Sequence, residues 1–223
     1  MKHALVVFDL DGTLLDTIGD LAAACNHILR MRKLPEYDYP TYCGFVGNGI
    51  TRLIERALPE HLRTEEYIAD ARRDFVDYYI GHIDVHTRPY DGVTELLERL
   101  SESDCRLAVA SNKFHEGTTR LISRFFPAIR FDAVYGNCVG MPLKPDAALL
   151  QSIMRECGSD AAHCCMIGDS GVDMQTAHNA ATHSIGVTWG FRTREELVAN
   201  GAECIADNPS EIPAILRDYG MIA

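Results

Sequence analysis

Residues 5–17 read Leu5-Val-Val-Phe-Asp9-Leu-Asp11-Gly-Thr13-Leu-Leu-Asp-Thr17. Leu5 to Phe8 is a short apolar run with two β-branched residues, the pattern of a buried strand. Asp9 and Asp11 follow at its C-terminal end, and Gly12 then breaks the strand. Ligands of open α/β sheets bind just outside the carboxyl ends of the strands, so chemistry is expected here if the rest of the chain is α/β. Two carboxylates one residue apart repel each other. A magnesium ion, held by a few carboxylates together with substrate phosphate, relieves that repulsion. The alternative is a helix N-cap with acidic turn residues, and Asp-x-Asp alone does not decide between the two.

Working outward, residues 16–30 place Ile18, Leu21, Ala22, Cys25, Ile28 and Leu29 at helical spacing, with Asp16 or Thr17 as the cap. Pro35 and Pro40 then mark a loop. Gly47-Asn48-Gly49 precedes a second helix carrying Ile50, Leu53, Ile54, Ala57 and Leu58, and Thr64-Glu65-Glu66 starts a third that runs toward Tyr79. No strand pattern is visible between Asp16 and Asp84. From Arg88-Pro89-Tyr90-Asp91-Gly92 onward the character changes, with strands expected over 105–110, 131–135, 163–167, 184–188 and 203–206. Helices fall between them: Val93 to Leu100, a segment around Leu121, Ile122 and Phe125, 145–157, one beginning near Val172, and 193–200. Such alternation implies a parallel sheet covered on both faces, with right-handed crossovers. The expected fold is therefore α/β, a Rossmann-like parallel sheet over residues 1–15 and 85–223. A helical domain, 16–84, is inserted directly above the end of the first strand, where it can act as a lid. Gly44, Gly47 and Gly49 lie between helices, so they are not a dinucleotide fingerprint.

The bulk properties narrow the function classes. The 223 residues are 47% apolar and 24% charged, ordinary for a globular protein, and no apolar run approaches the ~20 residues of a membrane helix. Met1-Lys2-His3 leads straight into the first strand, so no signal peptide is expected and the cytoplasm is the expected location. A formal net charge of −11 argues against nucleic acid or an anionic membrane as partner. It also requires that any anionic substrate be drawn in by a local positive site. None of the eight cysteines is spaced Cys-x-x-Cys. Cys25, Cys105, Cys157 and Cys164 fall on apolar helix phases or in strands, which suits buried reduced thiols better than disulfides or zinc. His82 and His86 are four apart, but Gly81 and Pro89 limit the helix there, and metal binding by this pair is not expected.

Three later features join Asp9 and Asp11. Ser111-Asn112-Lys113 follows the strand 105–110, where a hydroxyl and an amide can hydrogen-bond phosphate oxygens. Lys144-Pro145-Asp146 opens a helix with proline in its first turn, and the lysine offers a compact positive charge. Gly168-Asp169-Ser170-Gly171-Val172-Asp173 follows the strand 163–167, with two aspartates four apart on one helix face. Asp169 can reach a metal held by Asp9, and Asp173 can support it through water. A turn, a surface lysine and a capping motif are the respective alternatives for each feature taken singly.

Together, Asp9-Leu-Asp11-Gly-Thr13, Ser111-Asn112, Lys144-Pro145 and Gly168-Asp169 to Asp173 resemble, in order and spacing, the four motifs of the haloacid dehalogenase superfamily. The insert resembles that family's helical cap of the first type. The second aspartate, Asp11, points to the phosphatase and phosphomutase branch. The resemblance implies that Asp9 is the nucleophile, forming an aspartyl-phosphate, and that Asp11 is the general acid and base. It further implies magnesium held by Asp9, the backbone carbonyl of Asp11 and Asp169, with Asp173 acting through water. Ser111, Asn112, Lys144 and the backbone near Gly12 would bind phosphate. The stretch from Gly47 to Leu58 is similar to the cap of phosphoglycolate phosphatases. That similarity makes Asn48 and Arg52 candidate substrate contacts, a helix–helix turn being the other reading. The expected partner is a small anionic phosphorylated metabolite; the oligomeric state is not specified. A pyrophosphatase or nucleotide phosphatase, a β-phosphoglucomutase-like phosphotransferase and a non-catalytic phosphometabolite sensor remain as alternatives.

Overall fold

Leu5, Val6, Val7 and Phe8 are all buried, and they form the central strand because both faces of the sheet are covered. In the computed structural model, which describes residues 2–138 and 140–223, the chain begins with β1 (Ala4–Phe8) and the two-residue β2 (Leu15–Asp16). Four helices follow: α1 (Ile18–Met31), α2 (Tyr39–Phe45), α3 (Ile50–Ala57) and α4 (Glu65–Gly81). The chain returns through β3 (Arg88–Pro89) to α5 (Val93–Ser101), β4 (Cys105–Phe114), α6 (His115–Phe125) and β5 (Ala133–Asn137). It continues with α7 (Ala148–Glu156), β6 (Cys164–Gly168), α8 (Gly171–Ala180) and β7 (His183–Val187). It ends with α9 (Arg194–Ala199), β8 (Cys204–Ala206) and α10 (Ile212–Asp218).

The main sheet is parallel, in the order β5-β4-β1-β6-β7-β8. Val7 pairs with Ala108 on one side and Met166 on the other. Side chains of a strand alternate between faces. Val6 and Phe8 join the core that includes α5, α6, α10 and the cap helices, while Leu5 and Val7 pack with Leu149, Leu150 and Ile153 of α7 and Ala177 of α8. The strand order runs outward from β1 through β4 to β5, then reverses to β6, β7 and β8. The reversal puts the crevice at the carboxyl ends of β4, β1 and β6, the switch point where α/β folds bind ligands.

Several expectations are corrected in detail. The segment around Pro40 is helical: Asp38 caps α2 by accepting from the Thr41 amide at 3.1 Å, and Pro40 sits in the first turn, where its missing N–H is not needed. The fourth strand extends through Ser111, Asn112 and Lys113, with a register shift between Ala110 and Phe114, so these residues lie in an irregular strand end. The fifth strand lies at 133–137, two residues later than expected. The helix after Lys144 starts only at Ala148, and Pro145 belongs to the turn before it, joined to Lys144 by a cis peptide. The helical insert is bounded by strand: Leu15 and Asp16 pair antiparallel with Pro89 and Arg88. These pairs are too short to leave an alternating pattern.

Candidate active site

Three adjacent strands deliver the first residues of the site. Asp9 follows β1, Ser111 lies near the end of β4, and Asp169 follows β6; all three are buried. Lys144, from the turn before α7, reaches in from the side. Its Nζ lies 2.9 Å from Asp9 Oδ1 and 2.7 Å from Asp173 Oδ1. The Lys144–Asp9 contact lies outside hydrogen-bond geometry, and Asp9 Oδ1 is buried with no hydrogen bond. Burial pushes the Asp9 carboxyl up to about 7; Lys144 opposes the shift, and Asp173 and Asp11 add to it.

The Asp169 carboxylate is held from several sides. It accepts from the Phe191 amide at 2.7 Å and from Thr13 Oγ1 at 3.4 Å. A Cβ at Gly12 would stand 2.3 Å from its Oδ2, and one at Gly190 would stand 2.3 Å from its own Cβ. Gly12 also has φ +88°, which only glycine adopts freely. Both positions therefore admit no side chain, and this close approach fixes the carboxylate. Trp189 secures the same turn by donating to the Thr13 carbonyl at 3.0 Å. Burial, followed by the charges of Asp173 and Asp9, raises the Asp169 carboxyl well above the usual range. Burial pushes the Lys144 ammonium down, but Asp173 and Asp9 outweigh it and raise it above the usual lysine value.

One oxygen from each of Asp9, Asp169 and Asp173 falls within 4.8 Å of the others. Three buried carboxylates face one ammonium, so two negative charges lack compensation when all are ionised. An all-oxygen cluster with a surplus of negative charge fits a hard divalent cation.

The structure redistributes other expected roles. Asp173 is held on both oxygens: Oδ1 accepts from Lys144, and Oδ2 accepts from the Ser170 amide at 3.1 Å and the Ser170 hydroxyl at 2.7 Å. It therefore orients Lys144 and caps α8, and Oδ1 keeps an acceptor site beside Asp9 and Asp169. The Asn112 amide is likewise committed, donating to the carbonyls of Gly47 and Lys144, both at 3.0 Å, and accepting from the Lys144 amide at 2.9 Å. Asn112 thus shapes the Lys144 turn and ties it to Gly47 before α3, with its side-chain N–H groups already given. The Gly12 amide donates to the Leu15 carbonyl at 2.9 Å and is not available to phosphate either. Asn48 accepts from Arg56 at 2.8 Å, and Arg52, its side chain 62% exposed, pairs with Glu55 on the outer face of α3. Neither lines the pocket over the site. The similarity of this stretch to a phosphoglycolate phosphatase cap suggested Arg52, but Leu53 and Ile54 turn inward, as their helical spacing expects, and carry Arg52 out.

Three residues that do line this pocket carried no role in the sequence reading: Lys113, Tyr79 and Arg192. Lys113 Nζ donates to Asp11 Oδ1 at 3.0 Å and to the Tyr79 hydroxyl of α4 at 2.8 Å. Arg192, after β7, donates to the Val46 carbonyl at 2.7 Å and to the Cys43 carbonyl, capping the end of α2. With Asn112, these residues seat the helical insert on the core. Lys113 was visible in Ser111-Asn112-Lys113, since a lysine following a strand-end Ser-Asn is an obvious cation. Tyr79 and Arg192 left no local signal.

The profile of the haloacid dehalogenase-like hydrolases matches residues 6–187, and the chain belongs to this family. It is 34% identical over 199 residues to a phosphoglycolate phosphatase of Mesorhizobium japonicum, covering 87% of this chain and 86% of that one. With a phosphoglycolate phosphatase of Caulobacter vibrioides it shares 33% over 216 residues, 96% of this chain and 90% of that protein. The crystal structure of a predicted phosphoglycolate phosphatase from Haemophilus somnus superposes with a TM-score of 0.89 at 27% identity, covering 96% and 98% of the two chains. A haloacid dehalogenase-like family hydrolase from Streptococcus pneumoniae, at 23% identity and a TM-score of 0.86, shares the fold. Among the described residues no helix is long and apolar enough to cross a membrane.

Proposed function

We propose that the chain is a magnesium-dependent phosphomonoester hydrolase acting through an aspartyl-phosphate, on a small phosphorylated metabolite of the phosphoglycolate type. The observation that carries this reading is the Asp9 carboxylate. It is buried at the switch point, faces the pocket, and has one oxygen beside Lys144 with no hydrogen bond. In the first step an Asp9 oxygen forms a bond to phosphorus while the bond from phosphorus to the leaving oxygen breaks; Asp11 gives that oxygen its proton. In the second, Asp11 takes a proton from water as the water oxygen bonds to phosphorus and the bond from phosphorus to Asp9 breaks, which releases phosphate and restores the Asp9 carboxylate. Lys144 and the Ser111 hydroxyl balance charge on the transferring group. Magnesium would be held by the carboxylates of Asp9 and Asp169 and the backbone carbonyl of Asp11, and when bound it neutralises charge between those carboxylates and the phosphate. Residues 16–84 serve as the cap, with α1, α3 and α4 closing the pocket over Asp9 and Asp11. The eight free cysteines and the acidic surface suit a cytoplasmic location.

The test is phosphate release with magnesium across phosphoglycolate, sugar phosphates, nucleotides and pyrophosphate. The expected result is a clear preference for phosphoglycolate, with at least about a 10³-fold loss in Asp9→Asn. Undiminished turnover in Asp9→Asn would contradict the mechanism, and equal slow rates on every compound would contradict the substrate class.

A further inference from the structure

Each aspartate of the opening motif has its own buried lysine, and only one of the two lysines is explained by phosphoryl transfer. Lys144 serves Asp9. Lys113 stands at Asp11, the residue next to the leaving group, and its side chain is only 3% exposed. The cap side of the pocket around it is apolar, formed by Leu21, Ile50, Leu53, Phe75 and Phe114. A charge in such surroundings is costly unless it has partners, and Asp11 supplies a single one.

The donor count shows what is missing. An ammonium has three N–H donors. Lys113 Nζ makes its two short bonds to Asp11 Oδ1 at 3.0 Å and the Tyr79 oxygen at 2.8 Å, and its remaining contact, to Asp11 Oδ2, is a long 3.4 Å, so the third N–H is only loosely held. Tyr79 accepts its bond from Lys113, so its own O–H also remains to be given. The other polar groups on the same wall are turned elsewhere: Arg192 donates to the Cys43 and Val46 carbonyls with its Nε 3.5 Å from Glu196, and both Asn112 N–H groups go to the Gly47 and Lys144 carbonyls.

We propose that Lys113 and Tyr79 form a receptor for a carboxylate on the leaving alcohol, so that the enzyme selects phosphate esters of small hydroxy acids. Asp11 already balances the Lys113 charge, so the donors left over, the loosely held third Nζ–H and the Tyr79 O–H, match a two-oxygen carboxylate better than a second, more highly charged phosphate. The inference rests on the phosphatase reading above and adds where the substrate's second anion is read. Tyr79 belongs to α4 and Lys113 to β4, so the receptor is assembled across cap and core, and a bound carboxylate ties the two together. This receptor takes the place of Asn48 and Arg52, which face away.

The experiment compares kcat/KM for phosphoglycolate, ethyl phosphate (the same size without the anion) and pyrophosphate, in wild type, Lys113→Met and Tyr79→Phe. Wild type should prefer phosphoglycolate over ethyl phosphate by about 100-fold or more, because the ethyl group leaves the buried Lys113 and Tyr79 donors without an acceptor. That ratio should collapse toward one in Lys113→Met and fall about tenfold in Tyr79→Phe, whatever happens to the absolute rates. An unchanged ratio in both variants would show that Lys113 serves only to hold Asp11, and would overturn the receptor. A wild-type preference for pyrophosphate would replace carboxylate with a second phosphate and equally overturn it. Failure of wild type to hydrolyse any of the three would instead defeat the phosphatase reading itself. Tyr79→Phe removes one oxygen, so it keeps the test decisive if Lys113→Met does not fold.

Discussion

Asp9 illustrates how burial and charge compete at one residue. Its carboxyl is pushed to about 7 because the sheet excludes water, and Lys144 recovers only part of that cost. The sign of the consequence follows from linkage. The folded state binds a proton at Asp9 more tightly than the unfolded state, so stability falls as pH rises from about 4 to about 7, by at most ~1.4 kcal/mol per pH unit from this group. In chelator, wild type is expected to lose melting temperature over pH 5 to 7.5 more steeply than Asp9→Asn, and magnesium is expected to reduce the loss. Parallel curves for the two proteins, unaffected by magnesium, would contradict the account. Asp9, Asp11, Ser111, Lys144 and Asp169 stood out in the sequence because each was expected just after a strand or at the start of a helix, although Ser111 lies within β4 and Lys144 in the turn before α7. Lys113 was visible but carried no role, since its partner Tyr79 lies 34 residues away on another element. The distinction between a phosphate contact and a positioning residue, as at Asn112, depends on which hydrogen bonds are already made. No spacing carries that information.

At the scale of elements, the join between helical insert and core depends on a buried residue that the helical pattern passed over. Asp20, on the first turn of α1, is 1% exposed and accepts from the His86 amide at 2.9 Å, the Thr87 amide at 2.9 Å and the Thr87 hydroxyl at 2.8 Å. It thereby clamps the start of the cap to its end. Asp20→Ala strands three donors in a buried place and should cost ~2–4 kcal/mol in denaturant unfolding. Glu36→Ala, which removes an exposed partner of Arg30, should leave the midpoint unchanged. Equal effects of the two substitutions would contradict the clamp. The main elements were readable because apolar periodicity is strong in β1, β6 and α3. Their ends were not: the extension of β4 through Asn112 and the delayed start of α7 are set by tertiary hydrogen bonds to Lys144 and Gly47.

Across the whole molecule, catalysis in a closed pocket requires the cap to seat and then release. Arg192 is the long lever between the parts, anchored after β7 and ending on the carbonyls at the end of α2. Arg192→Ala should speed amide exchange about tenfold or more over residues 43–48, while β1 and β6 keep their protection; unchanged exchange there would contradict that role. The alternation of strand and helix made the layered core and the inserted helical block legible from sequence. How the block sits on the core was not, because its contacts join residues nearly 150 positions apart, as Arg192 and Cys43 do.

The central claim is that Asp9 itself carries the phosphoryl group. Its most direct test is acid quench of the enzyme turning over phosphate-labelled phosphoglycolate with magnesium, followed by peptide mapping. The account predicts label on the peptide containing Asp9, lost in Asp9→Asn and lengthened in lifetime by Asp11→Asn. Steady turnover with no label on that peptide would contradict it.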